Sequence, residues 1–251
     1  MRIFKTTQAV TLAALMLGCI GSAAAGVQVG GTRIIFDAGK KDASISVENK
    51  GDEAYAIQSW IDNGSTDGAK TPFLVTPPLM RLDGGKTQAL KVRLIKSGDA
   101  AKALPKDRES LYWFNVKEIP PKAKGKDNTL QIAVRTRIKL LYRPANLTGS
   151  AAEAASQLKW AVVAGPNGKG AALEVENPTP YYVNFSMINV LGAQAESINA
   201  DAVAPMSKLS YPLKSAAAIA PVKFNFMVIN DFGALSNPVE ASAEPQVAIA
   251  K

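Results

Sequence analysis

The sequence predicts an all-β protein made of two sandwiches, and three observations carry that prediction. Short runs of alternating apolar and polar residues recur along nearly the whole chain, turn-rich stretches separate them at regular intervals, and no segment sustains the 3.6-residue apolar period of a long helix. With 251 residues the chain is long enough for two domains of ordinary size.

The first segment, MRIFKTTQAVTLAALMLGCIGSAAAG, joins a basic start (Arg2, Lys5) to an apolar run and the small residues Ala23, Ala24 and Ala25. This pattern predicts a secretory leader, residues 1–25, cleaved after Ala25. The alternative, a membrane anchor, is disfavoured because the run from Ala9 to Ile20 is broken by Thr11 and falls short of the roughly 20 residues a spanning helix needs. Leu17 stands where a lipoprotein signal requires a small residue, so Cys19 is expected to leave with the leader. What remains, residues 26–251, has no cysteine and no histidine. A chain without disulfides must be held by its own apolar cores. Removing Arg2 and Lys5 from the net charge of +8 leaves +6, which favours acidic partners without identifying any.

The predicted strands of the first sandwich follow in order. Ile45 and Val47 alternate in ASISVEN, Tyr55 and Ile57 in AYAIQSW, Leu90, Val92 and Leu94 in ALKVRL, and LYWFNV comes next; NKGDE, DNGSTDG and LDGGK supply turns between them. Then comes NTLQIAVRTRIKLLYRP. From Leu130 to Arg143 its even positions are Leu130, Ile132, Val134, Thr136, Ile138, Leu140 and Tyr142, and its odd positions grow increasingly basic through Arg135, Arg137, Lys139 and Arg143. At about 3.3 Å per residue an unbroken strand of this extent reaches roughly 40 Å, well beyond an ordinary strand. A core strand explains the alternation but leaves the length unexplained. Pro144 ends the ladder and small polar residues follow, which places the domain boundary between residues 146 and 147. After the brief helix-friendly SAAEAASQLKW, the segments LKWAVV, AALEVEN, YYVNFSMINV and KFNFMVIND predict a second, smaller sandwich over residues 147–251.

Several local signals have plainer explanations. GPNGKG (Gly165 to Gly170) has Gly170 where a phosphate loop needs Ser or Thr, and no helix follows, so it reads as a hairpin turn. The Asn146-Leu147-Thr148 sequon carries little meaning outside a eukaryotic secretory context. The lysines of PPKAKGKDN lack interleaved aromatics, so the reading is a solvated loop and no nucleic-acid contact. Absent histidine and cysteine exclude Ser-His-Asp and Cys-His catalysis, histidine-ligated zinc and thiol chemistry. A Ser/Lys hydrolase or a carboxylate-pair glycosidase stays formally open, but Asp83, Asp107 and Glu109 show no spacing that favours either. No enzyme activity, cofactor or metal site is therefore expected.

Four separated motifs resemble the periplasmic chaperones of the chaperone–usher pathway, which assemble pili. LPKDRESLYWFNVKEIPP (Leu104 to Pro121) and LQIAVRTRIKLLYRP are similar to the family's first-domain signature and its last first-domain strand. NPTPYYVNFS (Asn177 to Ser186) and VINDFGA (Val228 to Ala234) are similar to second-domain motifs, in the expected order. The resemblance implies two immunoglobulin-like sandwiches set at an angle, and a protein that binds pilus subunits and delivers them to an outer-membrane usher, located in the periplasm after leader cleavage and without stable membrane insertion. Self-association of the free protein stays open.

In that family the subunit is an incomplete sandwich, and the chaperone lends the missing strand by strand addition at an exposed sheet edge. By the resemblance, Leu130, Ile132 and Val134 are the anchors that enter the subunit's groove. Arg33 in GGTRIIF and Lys139 in RIKLLYRP fall on the cleft arginine and lysine that hold the subunit's C-terminal carboxylate and so fix the register. Glu109, Arg143 and Asp231 fall on a trio that forms an internal ion-pair network at the domain junction. The short KAKGKDNT link and the missing cysteine pair resemble the short-loop branch, associated with rod-like pili. A rival reading from another class, a fibre subunit or adhesin, would call for an N-terminal donor extension and often a disulfide; GVQVGGTRIIF passes almost directly into a strand.

Overall fold

The computed structural model describes residues 26–65, 70–121, 132–192, 195–214 and 218–246. The first sandwich pairs two sheets. One contains β1 (Val27–Val29), β3 (Asp42–Asn49), β7 (Thr87–Leu94) and β5 (Phe73–Thr76) in that spatial order. The other runs β2 (Arg33–Asp37), β9 (Arg135–Arg143), β8 (Ser110–Ile119), β4 (Tyr55–Asp62) and β6 (Leu79–Leu82). The first strand region thus changes sheets: β1 pairs antiparallel with β3, whereas β2 runs parallel to β9. Gly30 lies at this crossover with its N–H on the Ser46 carbonyl, and any Cβ there would collide with the Ser46 hydroxyl.

Alternation buries one side chain in two on each inner face, as in Ile45 and Val47 of β3 and Leu90 and Val92 of β7. These join Ile34, Phe36, Ile57, Phe114, Ile138 and Leu140 in one apolar core, with the Phe73 ring against those of Phe36, Tyr112 and Tyr142, and Phe36 against Tyr142. The α-helix among the described residues, α1 (Asp99–Lys102), is a single turn with no buried residue, and the sequence pattern did not indicate it.

The second sandwich consists of β10 (Lys159–Ala164), β11 (Ala171–Asn177), β12 (Phe185–Val190), β13 (Glu196–Ile198), β14 (Ser207–Leu213), β15 (Val222–Val228) and β16 (Val239–Pro245). Hydrogen bonding links them in the order β13-β12-β15-β16-β10-β11-β14. Residues 239–243 of β16 pair with β15, and its last two pair parallel with β10, so β16 joins two layers that close over one core. Leu173, Val175, Ile188, Phe224 and Phe226 fill that core, and the Trp160 ring stands edge-on to Phe224 at 4.7 Å between centroids. SAAEAASQLKW forms only a 3₁₀ turn at Ala154–Gln157. Gly165 to Gly170 closes the β10–β11 hairpin, with Gly165 N–H on the Gly170 carbonyl.

One expectation needs correction. The unbroken strand from Leu130 is not found: β9 begins at Arg135, while Ile132 to Val134 precede it outside the ladder and Leu130 lies outside the described residues. The cause lies in the neighbour. Among the described residues the last pair is Lys117 and Arg135, followed by one further bond from Glu118 N–H to the Val134 carbonyl. Beyond Ile119 the partner strand meets Pro120 and Pro121, which carry no N–H to continue the ladder. The stop at Arg143, just before Pro144, falls where the sequence placed it.

Candidate functional site

The parallel register of β2 and β9 places Arg33 directly opposite Lys139. Two cations thus share one rung, on the face of β9 that also carries Leu141 and Arg143. Residues of the second sandwich meet that face: Lys139 Nζ donates to Asn184 Oδ1 at 2.7 Å, and Arg33 Nη1 donates to the Ile229 carbonyl at 3.2 Å. Among the described residues neither cation has a carboxylate within 4.0 Å, and Arg33 Nε is buried with no acceptor. Burial lowers the Lys139 pKa, and the positive charge of Arg33 lowers it further, with distant Asp201 opposing. Burial likewise lowers Arg33, partly offset by the charge of Asp231. Two half-buried, unneutralised cations with an orphaned donor form a site that a carboxylate would satisfy by charge-assisted hydrogen bonds.

Just before β9, the two expected anchors among the described residues lie outside the strand ladder. Ile132 is 66% exposed and Val134 48% exposed. Large aliphatic side chains at alternate positions, next to the end of a ladder, present an apolar row. Five residue steps lead from Val134 to Lys139, about 16 Å of extended chain.

Glu109, Arg143 and Asp231 come together in one ion-pair network. Arg143 Nε bonds Glu109 Oε1 at 2.6 Å, while Nη1 and Nη2 grip both oxygens of Asp231 at 2.8 and 3.0 Å. The other Glu109 oxygen accepts the Tyr182 N–H at 2.8 Å, and Glu109 N–H donates to the Pro180 carbonyl. The guanidinium also lies over the Tyr181 ring, 5.3 Å from its centroid. The contacts to Asp231, Tyr182, Pro180 and Tyr181 cross from the first sandwich to the second, whereas the Arg143–Glu109 pair lies within the first. Burial pushes the Glu109 carboxyl up, opposed by Arg143 and the Tyr182 N–H. Burial also works against the Arg143 charge, but hydrogen bonds and charge from Asp231 and Glu109 more than reverse it, so Arg143 is raised and stays charged.

Two sets of residues escaped the sequence reading. Asn184 is almost fully buried beside Lys139; no periodic signal marks a polar residue between buried Val183 and Phe185. On the outer face of β4, β8 and β9, Arg135 stacks over Trp60 and Arg137 over Trp113, with Asp62 bridging both arginines and Asn115 bonded to Arg135 and Asp62. Their clue was present in the odd-position basic run, whose pairing with tryptophans only the register reveals.

Comparison with known proteins gives a consistent result. The family described as pili and flagellar-assembly chaperone, PapD N-terminal domain, matches residues 26–148, and the pili assembly chaperone PapD C-terminal domain matches residues 153–239. The chain is 40% identical over 222 residues to the probable fimbrial chaperone YadV of Escherichia coli (strain K12), covering 84% of this chain and 88% of that protein. It is 38% identical over 239 residues to the chaperone protein FimB/FhaD of Bordetella pertussis, covering 92% and 94%. Among solved structures, the YadV chaperone superimposes with a TM-score of 0.72 at 38% identity, covering 87% of this chain and 99% of that one. The complex of Salmonella enterica SafA pilin with the SafB chaperone matches with a TM-score of 0.70 at 29% identity, covering 88% and 98%.

Proposed function

This chain belongs to the pili and flagellar-assembly chaperones, and from that premise we propose that it binds pilus subunits in the periplasm by donor-strand complementation and delivers them to an outer-membrane usher. The observation that carries this reading is the unneutralised pair Arg33 and Lys139 on the rung shared by β2 and β9, continuous with the exposed Ile132 and Val134. The subunit's C-terminal carboxylate would sit between the cations and set the register. Ile132, Val134 and Leu130 would then enter its groove while the backbone of this segment pairs with the groove's edges. Burial of each of the two exposed anchors contributes about 1–2 kcal/mol before ordering costs. No covalent step, nucleotide or cofactor enters this scheme; release would follow when a neighbouring subunit's strand completes the fold better.

The domain boundary in this reading falls between residues 146 and 147, with the Glu109-Arg143-Asp231 network holding the two sandwiches in a fixed relation. The test is co-expression with a subunit encoded beside an usher gene. The native chain should yield a one-to-one complex, and Arg33→Ala and Lys139→Ala should remain folded but capture nothing. Normal yields of complex from both variants would refute the carboxylate clamp.

A further inference from the structure

Glu118 is a charged side chain at the end of β8 that the proposed function leaves unused. It is 8% exposed, and among the described residues no Lys or Arg nitrogen lies within 4.0 Å of it. One oxygen accepts the Val27 N–H at 2.7 Å. A buried carboxylate without a cation is costly and calls for an unrecognised partner. The backbone beside it is Gly26, held in place by the bond from Lys50 N–H to the Gly26 carbonyl. A Cβ built on Gly26 would stand only 2.6 Å from Glu118 Oε2 and 3.1 Å from Oε1, so the carboxylate closes over this residue and a larger side chain would displace it. The Gly26 nitrogen therefore lies within about 5 Å of that oxygen, from the fixed geometry around Cα.

We infer that Glu118 is the binding site for the α-ammonium group of Gly26, created when the leader is removed. This rests on cleavage after Ala25. Hydrolysis of the Ala25–Gly26 bond by a leader peptidase consumes one water, leaving a carboxylate on Ala25 and an ammonium on Gly26. Before cleavage the same nitrogen is a neutral amide that can offer Glu118 no charge. Afterwards a cation sits against a carboxylate fixed by the sheet, an arrangement that makes a strong charge-assisted bond. The position has a consequence for capture. Among the described residues, Glu118 N–H makes the last bond from β8 to the segment before β9, at the Val134 carbonyl, while its side chain holds Val27 at the start of β1. The processed N-terminus thereby ties β1 to the root of the segment that carries Ile132 and Val134, and only the exported, cleaved form is fully braced.

Protease-cleaved fusions that begin at Gly26, or carry two extra residues ahead of it, test this in the native and Glu118→Gln backgrounds. The extension should lower Tm by about 2–4 °C in the native background, the shift expected for loss of one such pair in a chain of this size, and by less than half of that in Glu118→Gln. At neutral pH, acylation of the Gly26 amine by an N-hydroxysuccinimide ester, read by mass spectrometry, should be at least several-fold faster in Glu118→Gln. Equal Tm shifts in both backgrounds, or equal acylation rates, would overturn the assignment. The mass of the exported protein addresses the cleavage separately: an N-terminus other than Gly26 would refute leader removal at Ala25 whatever the fusions show.

Discussion

Replacing Arg143 with methionine tests the network between the sandwiches most directly. The Glu109 side chain is 1% exposed, Arg143 22% and Asp231 34%. Methionine keeps much of the aliphatic stem but leaves the Glu109 carboxylate buried with only the Tyr182 N–H. Removing one partner of a buried pair costs about 3–5 kcal/mol, because the remaining charge is uncompensated. Asp231 is nearer to solvent, so Asp231→Asn should cost only about 1 kcal/mol. Arg143→Met combined with Glu109→Gln removes the stranded charge and should recover about 2 kcal/mol relative to Arg143→Met alone. Urea unfolding followed by tryptophan fluorescence reads both halves, since Trp60 and Trp113 lie in the first sandwich and Trp160 in the second. The control is Arg81→Met, whose partner Asp83 and own side chain are both well exposed, so the change should cost below about 1 kcal/mol. If Arg143→Met costs no more than Arg81→Met, or the double substitution recovers nothing, the buried-pair argument fails.

Other consequences are equally open to measurement. Arg33→Met removes a buried, unsatisfied Nε at the loss of one long bond to the Ile229 carbonyl, so thermal unfolding should show equal or higher stability, by up to about 1 kcal/mol, while subunit capture disappears. A lower Tm with capture intact would contradict this. Ile132→Asp and Val134→Asp alter exposed positions, so Tm should stay within the change expected of surface substitutions, about 0.5 kcal/mol, whereas subunit affinity should fall at least tenfold for each. The clamp also predicts a pH effect. Lys139 has its pKa lowered in the free protein, and a bound carboxylate would raise it again, so the complex holds more protons than its parts at alkaline pH. Affinity should therefore decline as pH rises through the lowered pKa of free Lys139, and Lys139→Arg should flatten that decline in binding titrations; a profile that is flat for the native chain would argue against the clamp.

How far the sequence disclosed the structure depends on what fixes each feature. Alternation is a property of one strand, and Ile45, Val47, Ile57, Leu90, Val92 and Leu140 are buried where it placed them. The start of β9 is a property of two strands. Whether Ile132 belongs to a ladder is decided by Pro120 and Pro121 on the neighbour, which the run of residues from 130 to 143 does not contain. The odd face of β9 depends on still more. Arg135 and Arg137 lie on tryptophans and Asp62, yet Leu141, on the same side of the strand, is only 2% exposed, because from Lys139 onward that face is covered by Asn184, Asp231 and their neighbours in the second sandwich. A period-2 count registers a strand with a basic outer face, for which solvated cations are the ordinary outcome. It is the second sandwich that takes Lys139 and Arg33 partly out of water without supplying a carboxylate, and this turns two unremarkable surface charges into a site with an unmet demand. The motifs could point to these residues only because they carry information about both sandwiches at once, which the periodicity of either alone does not.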